Sequence, residues 1–362
     1  MKNSDLLKAL QVTIPGTGSN SLMFFGNCVV SIGDGISITY PLETGINFAI
    51  AAGDLLKAVP KMGDELTLKV QNDILLVSDS KAKLRLKPFG ADEKMGGGLA
   101  VQEGESAAGK LRDNVTALQG RIQEREWKDV PKKLSEAFEL SLFSVGKDSL
   151  MGKISGVAIR GCDLLSTDNY RVSHYVMDSP VADEIFRLRT STIQKMLTLG
   201  EFVSVSIDPK DDFLFLKTKD GVVVTATLLP ESKQYPFDKV VGSFGVMKFN
   251  EATDYQELPE GLLKSIEIVE VMARESEFDY TTQITIEQLE DKSLRLVGEK
   301  ATGEMEDVIV AWNGNLPVKI IGSPTFLKKI LTKTRKFTIS PIKKALLFEA
   351  PNFRYLMLAR IL

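Results

Sequence analysis

Apolar residues recur at i, i+3 and i+4 in six short stretches. They are LLKAL from Leu6, LLKAV from Leu55, LSEAF from Leu134, IQKML from Ile193, LLKSI from Leu262 and FLKKI from Phe326. This spacing places the apolar side chains on one face of a helix. The first, third and fifth stretches begin 128 residues apart, and the second, fourth and sixth are separated by 138 and 133. Self-similarity at a fixed period marks a repeat architecture, here threefold, with two helices in each unit.

The segments after the second helix of each unit also match. Residues 65–89, 202–229 and 337–362 alternate in polarity and predict three short strands apiece. Each is broken by turn-forming residues: Gln71-Asn72-Asp73, Asp208-Pro209-Lys210-Asp211 and Lys343-Lys344. Residues near 21–50, 154–189 and 280–320 are strand-like as well. The resulting order, helix–strands–helix–strands, describes an α+β fold of three repeated domains, each with two helices on one face of antiparallel sheets. The boundaries fall at 1–126, 127–245 and 246–362. Residues 90–126 break the pattern: Met95-Gly96-Gly97-Gly98 precede a polar helical stretch around Ala107–Gln123. This segment reads as a flexible surface insertion with its own helix, or as an arm that docks a partner.

Composition narrows the chemistry. The chain has 45 Lys and Arg against 48 Asp and Glu, a net charge of −3, which by itself argues against nucleic-acid binding. It has one histidine, His174, and two cysteines, Cys28 and Cys162. These cannot supply the four ligands of a structural zinc site, nor a disulfide framework, so no metal is expected and the cysteines read as reduced cytosolic thiols. Met1–Leu10 lacks the apolar run of a signal peptide. No stretch approaches the roughly 18 uncharged apolar residues of a membrane span. A cytoplasmic protein is expected.

Three stretches on this repeat resemble the bacterial DNA polymerase III beta subunit, the sliding-clamp family. TDNYRV at Thr167–Val172 is similar to the family's threonine–aspartate–glycine–histidine–arginine–leucine turn. QYPFDKVV at Gln234–Val241 is similar to the segment linking its second and third domains. YLMLARIL at Tyr355–Leu362 resembles its terminal strand. The chain departs from the pattern where Asn169 and Tyr170 replace glycine and histidine, and where Phe237 precedes Asp238. Asn tolerates a left-handed backbone and can replace that glycine. A divergent clamp is therefore expected, one that resembles the family over nearly the whole chain apart from 90–126.

The resemblance implies a head-to-tail homodimer whose six domains close a ring around double-stranded DNA, without regard to sequence. The helices would line the hole, and polymerase and clamp loader would dock through a peptide motif. Such a processivity factor works by topology and effective concentration, needs no cofactor and has no catalytic residues. The lumen helices should then be basic. Windows 2–10, 51–61, 132–147, 189–199, 259–275 and 323–336 carry a net of +8, which leaves −11 elsewhere. Lys8, Lys57, Lys132, Lys133, Lys147, Lys195, Lys264, Lys328, Lys329 and Lys333 are the candidate DNA-facing cations. The acids of the fifth window, Glu260, Glu267, Glu270 and Glu275, run against this sorting.

Carried over by motif, the partner-peptide pocket would use Ile154, Thr167, Tyr170, Arg171, Val172, Pro236, Val241, Leu356 and Leu358. Val172, Val241, Leu356 and Leu358 would form apolar walls, and Thr167 and Arg171 would supply donors. Without the resemblance, the strand residues among them read as core. Met272, Ala273 and Phe278 are candidates for the third-domain side of the dimer interface. No catalytic constellation emerges: His174 reads as a strand residue, Asp168 as a turn acceptor, and Gly96-Gly97-Gly98 lack the lysine of a phosphate-binding loop. The alternatives are a metal-dependent DNA-processing enzyme built on scattered carboxylates, and a non-enzymatic β-rich assembly protein.

Overall fold

The computed structural model describes residues 1–19, 21–89, 107–146, 152–208, 212–249, 254–273, 282–310, 312, 314–316 and 318–362. The first repeat holds α1 (Asn3–Thr17), β1 (Ser21–Phe25), β2 (Cys28–Gly33), β3 (Ile36–Pro41) and β4 (Asn47–Ala51). It continues with α2 (Gly53–Ala58), β5 (Thr67–Gln71), β6 (Ile74–Ser78) and β7 (Lys83–Leu86). Then come α3 (Ala107–Gln123) and β8 (Lys128–Asp129). The second repeat holds α4 (Leu134–Ser141), β9 (Val157–Gly161), β10 (Asp163–Thr167), β11 (Arg171–Val176), β12 (Ala182–Leu188), α5 (Thr190–Leu197), β13 (Phe202–Asp208), β14 (Phe213–Thr218) and β15 (Val223–Thr227). Next are α6 (Phe237–Val246) and β16 (Gln256–Glu257). The third repeat holds α7 (Leu262–Val269), β17 (Ile284–Gln288), β18 (Leu294–Lys300), β19 (Gly303–Ile309), β20 (Ile320–Gly322), α8 (Pro324–Leu331), β21 (Lys336–Ile339), β22 (Ala345–Ala350) and β23 (Phe353–Leu358). Finally, β24 covers Arg360–Ile361. All six helical stretches and all three triplets of strands stand where the periodicity placed them.

Strand pairing crosses the repeats. Four strands of the first repeat, three of the second and the short β8 form one sheet, in the order β4-β1-β2-β3-β15-β14-β13-β8. Four strands of the second, three of the third and the short β16 form another, β12-β9-β10-β11-β23-β22-β21-β16. The remaining sets stay separate, as β19-β18-β17-β20-β24 and β5-β6-β7. Contacts accordingly gather the chain into two compact units. One comprises Met1–Val130 with Ser191–Pro230, the other Pro131–Thr190 with Glu231–Leu362.

Each helix of a repeat buries one stripe on its sheet. In α7 the stripe is Leu262, Ser265, Ile266 and Val269, the i, i+3, i+4, i+7 pattern of an amphipathic helix. α8 starts with Pro324 in its first turn, where a missing N–H costs no hydrogen bond. α1 ends on Gly18, left-handed at φ 66°, whose N–H reaches the Ile14 carbonyl. Helices and strands approach closely at two glycines. A Cβ on Gly33 would sit 2.2 Å from the Thr17 carbonyl oxygen, and one on Gly298 would sit 2.0 Å from that of Val269. In the second repeat Ser166 Oγ donates to the Ser141 carbonyl at the end of α4.

The opposite face of the first sheet is covered by α3, which corrects the expectation of a flexible insertion. Leu111, Val115 and Leu118 of α3 pack on Met23, Cys28, Val30, Ala49 and Phe215. Gln119 Nε2 donates to Thr39 Oγ1 at 3.1 Å, and the guanidinium groups of Arg121 and Arg125 lie over the rings of Phe213 and Phe215. Met95–Gly98 lie outside the described residues. In the second unit α6 plays the same part. Its Phe237, Val240 and Phe244 cover Ala158, Leu165 and Leu356.

Burial beneath α3 pushes the Cys28 thiol up to about 11. Cys162 is half-buried. A maleimide at neutral pH is therefore expected to label Cys162 and spare Cys28, read by mass spectrometry. Val115→Asp, which places an unpaired charge under α3, should make Cys28 reactive. Val115→Ala should cost about 2 kcal/mol in denaturant unfolding.

Candidate functional site

The turn between β10 and β11 is built by its own polar side chains. Asn169 adopts φ 71°, the left-handed conformation that the family fills with glycine. Asp168 Oδ1 accepts the N–H groups of Tyr170 and Arg171 at 3.0 and 2.9 Å. Its Oδ2 accepts both Nε and Nη2 of Arg171 at 2.8 and 2.6 Å, a buried ion pair in which two donors converge on one oxygen. Thr167 Oγ1 donates to the Arg171 carbonyl at 2.7 Å. The Arg171 guanidinium lies 3.6 Å from the centroid of the Phe326 ring on α8.

These bonds revise two expected roles. Thr167 and Arg171 are 5% and 6% exposed; Thr167 Oγ1 and Arg171 Nε and Nη2 are engaged within the turn, while Arg171 Nη1 is buried without a hydrogen-bond partner. Their bonds within the turn shape the loop.

The apolar residues of the motif do come together, on the face of the second sheet that α6 covers. Val172 and Leu356 are cross-strand partners and are both buried in one cluster with Phe237, Val240 and Phe244. Ile154 and Val241 pack at its margin, and Pro236 caps the N-terminus of α6. Val172 and Leu356 are thus core residues. Tyr170 and Leu358 stand at the surface, 41% and 36% exposed, and the Leu358 N–H donates to the Tyr170 carbonyl at 2.8 Å. The motif reading passed over Phe237 and Phe244, although their spacing with Val240 is helical and apolar.

The corresponding face of the first unit differs in chemistry. Ser31 and Ser166 are equivalent, since each is buried against the last turn of its repeat's first helix, at Thr17 and Ser141. Counting from them, Ser37 stands where Val172 does, and its partner Thr225 where Leu356 does. Thr227 then corresponds to Leu358. The apolar surface therefore belongs to the second unit alone of these two equivalent faces.

The candidate lumen cations divide. Lys8 pairs with Asp220 at 3.0 Å, and Lys133 with Glu136 at 3.4 Å. Lys328 pairs with Glu270 at 2.6 Å, and Lys333 with Glu139 at 3.1 Å. Lys195 donates its ammonium to the Thr17 carbonyl at 2.6 Å, which satisfies the C-terminus of α1. Lys57, Lys132, Lys264 and Lys329 are exposed, and Lys147 lies outside the described residues. The repeat helices themselves carry Lys8, Lys57, Lys195, Lys264, Lys328 and Lys329, but also Asp5, Asp54, Glu136, Glu139 and Glu267. They are close to neutral. The surplus seen in the wider windows sits in the flanking residues, such as Lys61, Arg335 and Lys336.

Of the interface candidates, Ala273 is buried within its own unit, Met272 is half-buried beside Gly303, and Phe278 lies outside the described residues. His174 Nε2 donates to Asp163 Oδ1 at 2.6 Å and lies beside the Phe244 ring, a strand residue tied into the face beneath α6. Among the described residues no group of three or more His, Cys, Asp or Glu side chains is placed to hold a metal ion. No described helix is long and apolar enough to cross a membrane.

No protein-family model matches the chain, and no curated protein matches it. Solved structures do. The DNA polymerase III subunit beta from Pseudomonas aeruginosa superposes with a TM-score of 0.71 at 14% identity, over 99% of this chain and 98% of that one. The DNA polymerase sliding clamp from Bacillus subtilis gives 0.72 at 15% identity, over 99% and 97%. The beta subunit from the DNA polymerase of Streptococcus pyogenes gives 0.71 at 14%, over 99% and 98%. From end to end, on a sequence that has diverged to this level of identity, the chain has the fold of the bacterial DNA polymerase sliding clamps.

Proposed function

We propose that the protein is a DNA sliding clamp: a three-domain subunit, divided at 126/127 and 245/246, that dimerises head to tail around duplex DNA. The observation that carries this reading is the incomplete pairing of the repeated sheets within a fold that follows solved clamps over its whole length. In both completed sheets, the third strand of one repeat's set of four joins the last strand of the next repeat's set of three. These joints are β3 with β15 and β11 with β23. The two strands left without such a neighbour are β19 and β7. A second copy supplies each with the other, and a heterologous contact of this kind closes a ring when its rotation closes.

The two edges are complementary in charge. Lys83 and Arg85 project from one face of β7, while Glu304 and Glu306 project from one face of β19. Opposite signs facing across strands favour the pairing and fix its orientation. In the closed ring the exposed Lys57, Lys132, Lys264 and Lys329 face phosphate, together with basic turns beside the helices. The clamp then tethers polymerase and loader through the second unit's apolar surface and performs no chemistry of its own. It works in the cytoplasm, where replication takes place.

Two outcomes are expected. The protein should sediment as a dimer and stay on nicked circular DNA, yet run off the same DNA once it is linearised. Reversing Lys57, Lys132, Lys264 and Lys329 should shorten that retention, with each lost phosphate contact lowering the slope of log affinity against log salt by about 0.9. Equal retention on linear and circular DNA would sink the topological reading. Separately, Lys83→Glu with Arg85→Glu should dissociate the dimer, and adding Glu304→Lys with Glu306→Lys should restore it. If the four-site variant stays monomeric while folded, the β7–β19 pairing is wrong.

A further inference from the structure

The ring of His174 lies beneath α6 with one nitrogen bonded and one not. The residue is 9% exposed, and its buried Nδ1 has no hydrogen-bond partner among the described residues. The other nitrogen is committed. A carboxylate only accepts, so Nε2 carries the proton that goes to Asp163 Oδ1 at 2.6 Å. The neutral ring therefore leaves Nδ1 as a bare acceptor. A second proton would make Nδ1 a charged donor with nothing to donate to, which costs more.

The charges around this ring belong to the sheet. Asp163 stands on β10. On β23, Arg354 is the cross-strand partner of His174, and its guanidinium lies 4.3 Å from the centroid of the Phe244 ring. Glu349 faces Arg354 from β22 and accepts from Lys336 Nζ at 2.8 Å. On β9, Arg160 stands opposite Asp163, pairs with Asp238 at 2.7 Å and lies 4.1 Å from the Phe237 centroid. The helix contributes Phe244, 2% exposed, with its centroid 6.0 Å from that of His174. The titratable side chains of α6, Asp238 and Lys239, are both exposed.

Asp163, Arg354 and Glu349 flank His174 whether or not the helix is seated. What α6 changes is the access of water to Nδ1. We propose that His174 is a proton-sensitive latch for α6: the neutral ring favours the seated helix, and protonation at Nδ1 favours the lifted one. The sign follows from linkage, because acid populates the state that binds the proton more readily, and that is the state in which water meets Nδ1. The seated helix therefore loses ground as pH falls from about 8 to about 5, the range in which histidine changes charge. Attraction between a charged imidazole and Phe244 acts the other way. With the rings tilted by 46° and 6.0 Å apart, it is weaker than the solvation that Nδ1 gains. In the first unit α3 covers the equivalent face, where Thr39 takes the place of His174 and accepts from Gln119. That contact holds no titrating group, so α3 serves as an internal control.

The test is hydrogen exchange of the full-length protein at about pH 8 and about pH 5, corrected for the intrinsic rates. The α6 amides should lose roughly tenfold in protection on acidification, while those of α3 keep theirs. In His174→Gln, which stays neutral, α6 should show no such loss. Equal protection of α6 at the two pH values would overturn the latch, and so would an acid loss that survives His174→Gln. A reciprocal measurement decides the matter even where that variant does not fold. The chain has one histidine, so its ring gives a single NMR titration. Phe244→Ala, which unseats the helix, should move that titration to higher pH, by about one unit for a tenfold linkage. Val240→Ala, a smaller cut in the same face, should move it the same way by less. A midpoint that neither variant moves would overturn the coupling.

Discussion

The structure depends on an exchange of strands between successive repeats. A set of four strands with one helix pair offers an open edge, and an open edge of unpaired N–H and C=O groups invites any passing strand. Here the next repeat fills it. β15 lies against β3 and β23 against β11, so each completed sheet spans two repeats. The same rule leaves β7 and β19 as edge strands among the described residues.

Covering the sheets is a second constraint. Strands such as β2 and β10 are apolar on both faces, so a helix is needed on each side. The repeat helices cover one face. α3 and α6, which come from the segments between repeats, cover the other. α3 settles with Gln119 on Thr39, and α6 with Phe244 beside His174, and these two sheet positions are equivalent in the aligned hairpins.

The apolar surface of the second unit follows from the same geometry. Val172 and Leu356 hold α6 in place from below, and Tyr170 and Leu358 extend that apolar face into solvent. The Asp168–Arg171 pair gives the turn its shape and rests on Phe326, so the most polar part of the motif is spent on architecture. The first unit has Ser37, Thr225 and Thr227 at the matching positions and offers no such surface.

The repeat, its six helices and its three strand triplets were legible in the amino-acid order, because amphipathic periods of 3.6 and 2 are local properties of the chain. The turn at Asn169 and the apolar character of Val172 and Leu356 were legible for the same reason. Pairing partners were not, since nothing near Ile36 in sequence points to Ala226. The roles of Thr167, Arg171 and Lys195 were not legible either, because donors are assigned by whichever acceptor folding brings within about 3 Å. Nor was the near-neutrality of the helices, which needed their true ends. The docking of α3 was equally hidden: its three apolar residues look sparse along the chain, and only the face formed by Met23, Val30, Ala49 and Phe215 makes them enough. Local pattern determined which elements form, and long-range complementarity of edges, faces and charges decided what each of them does.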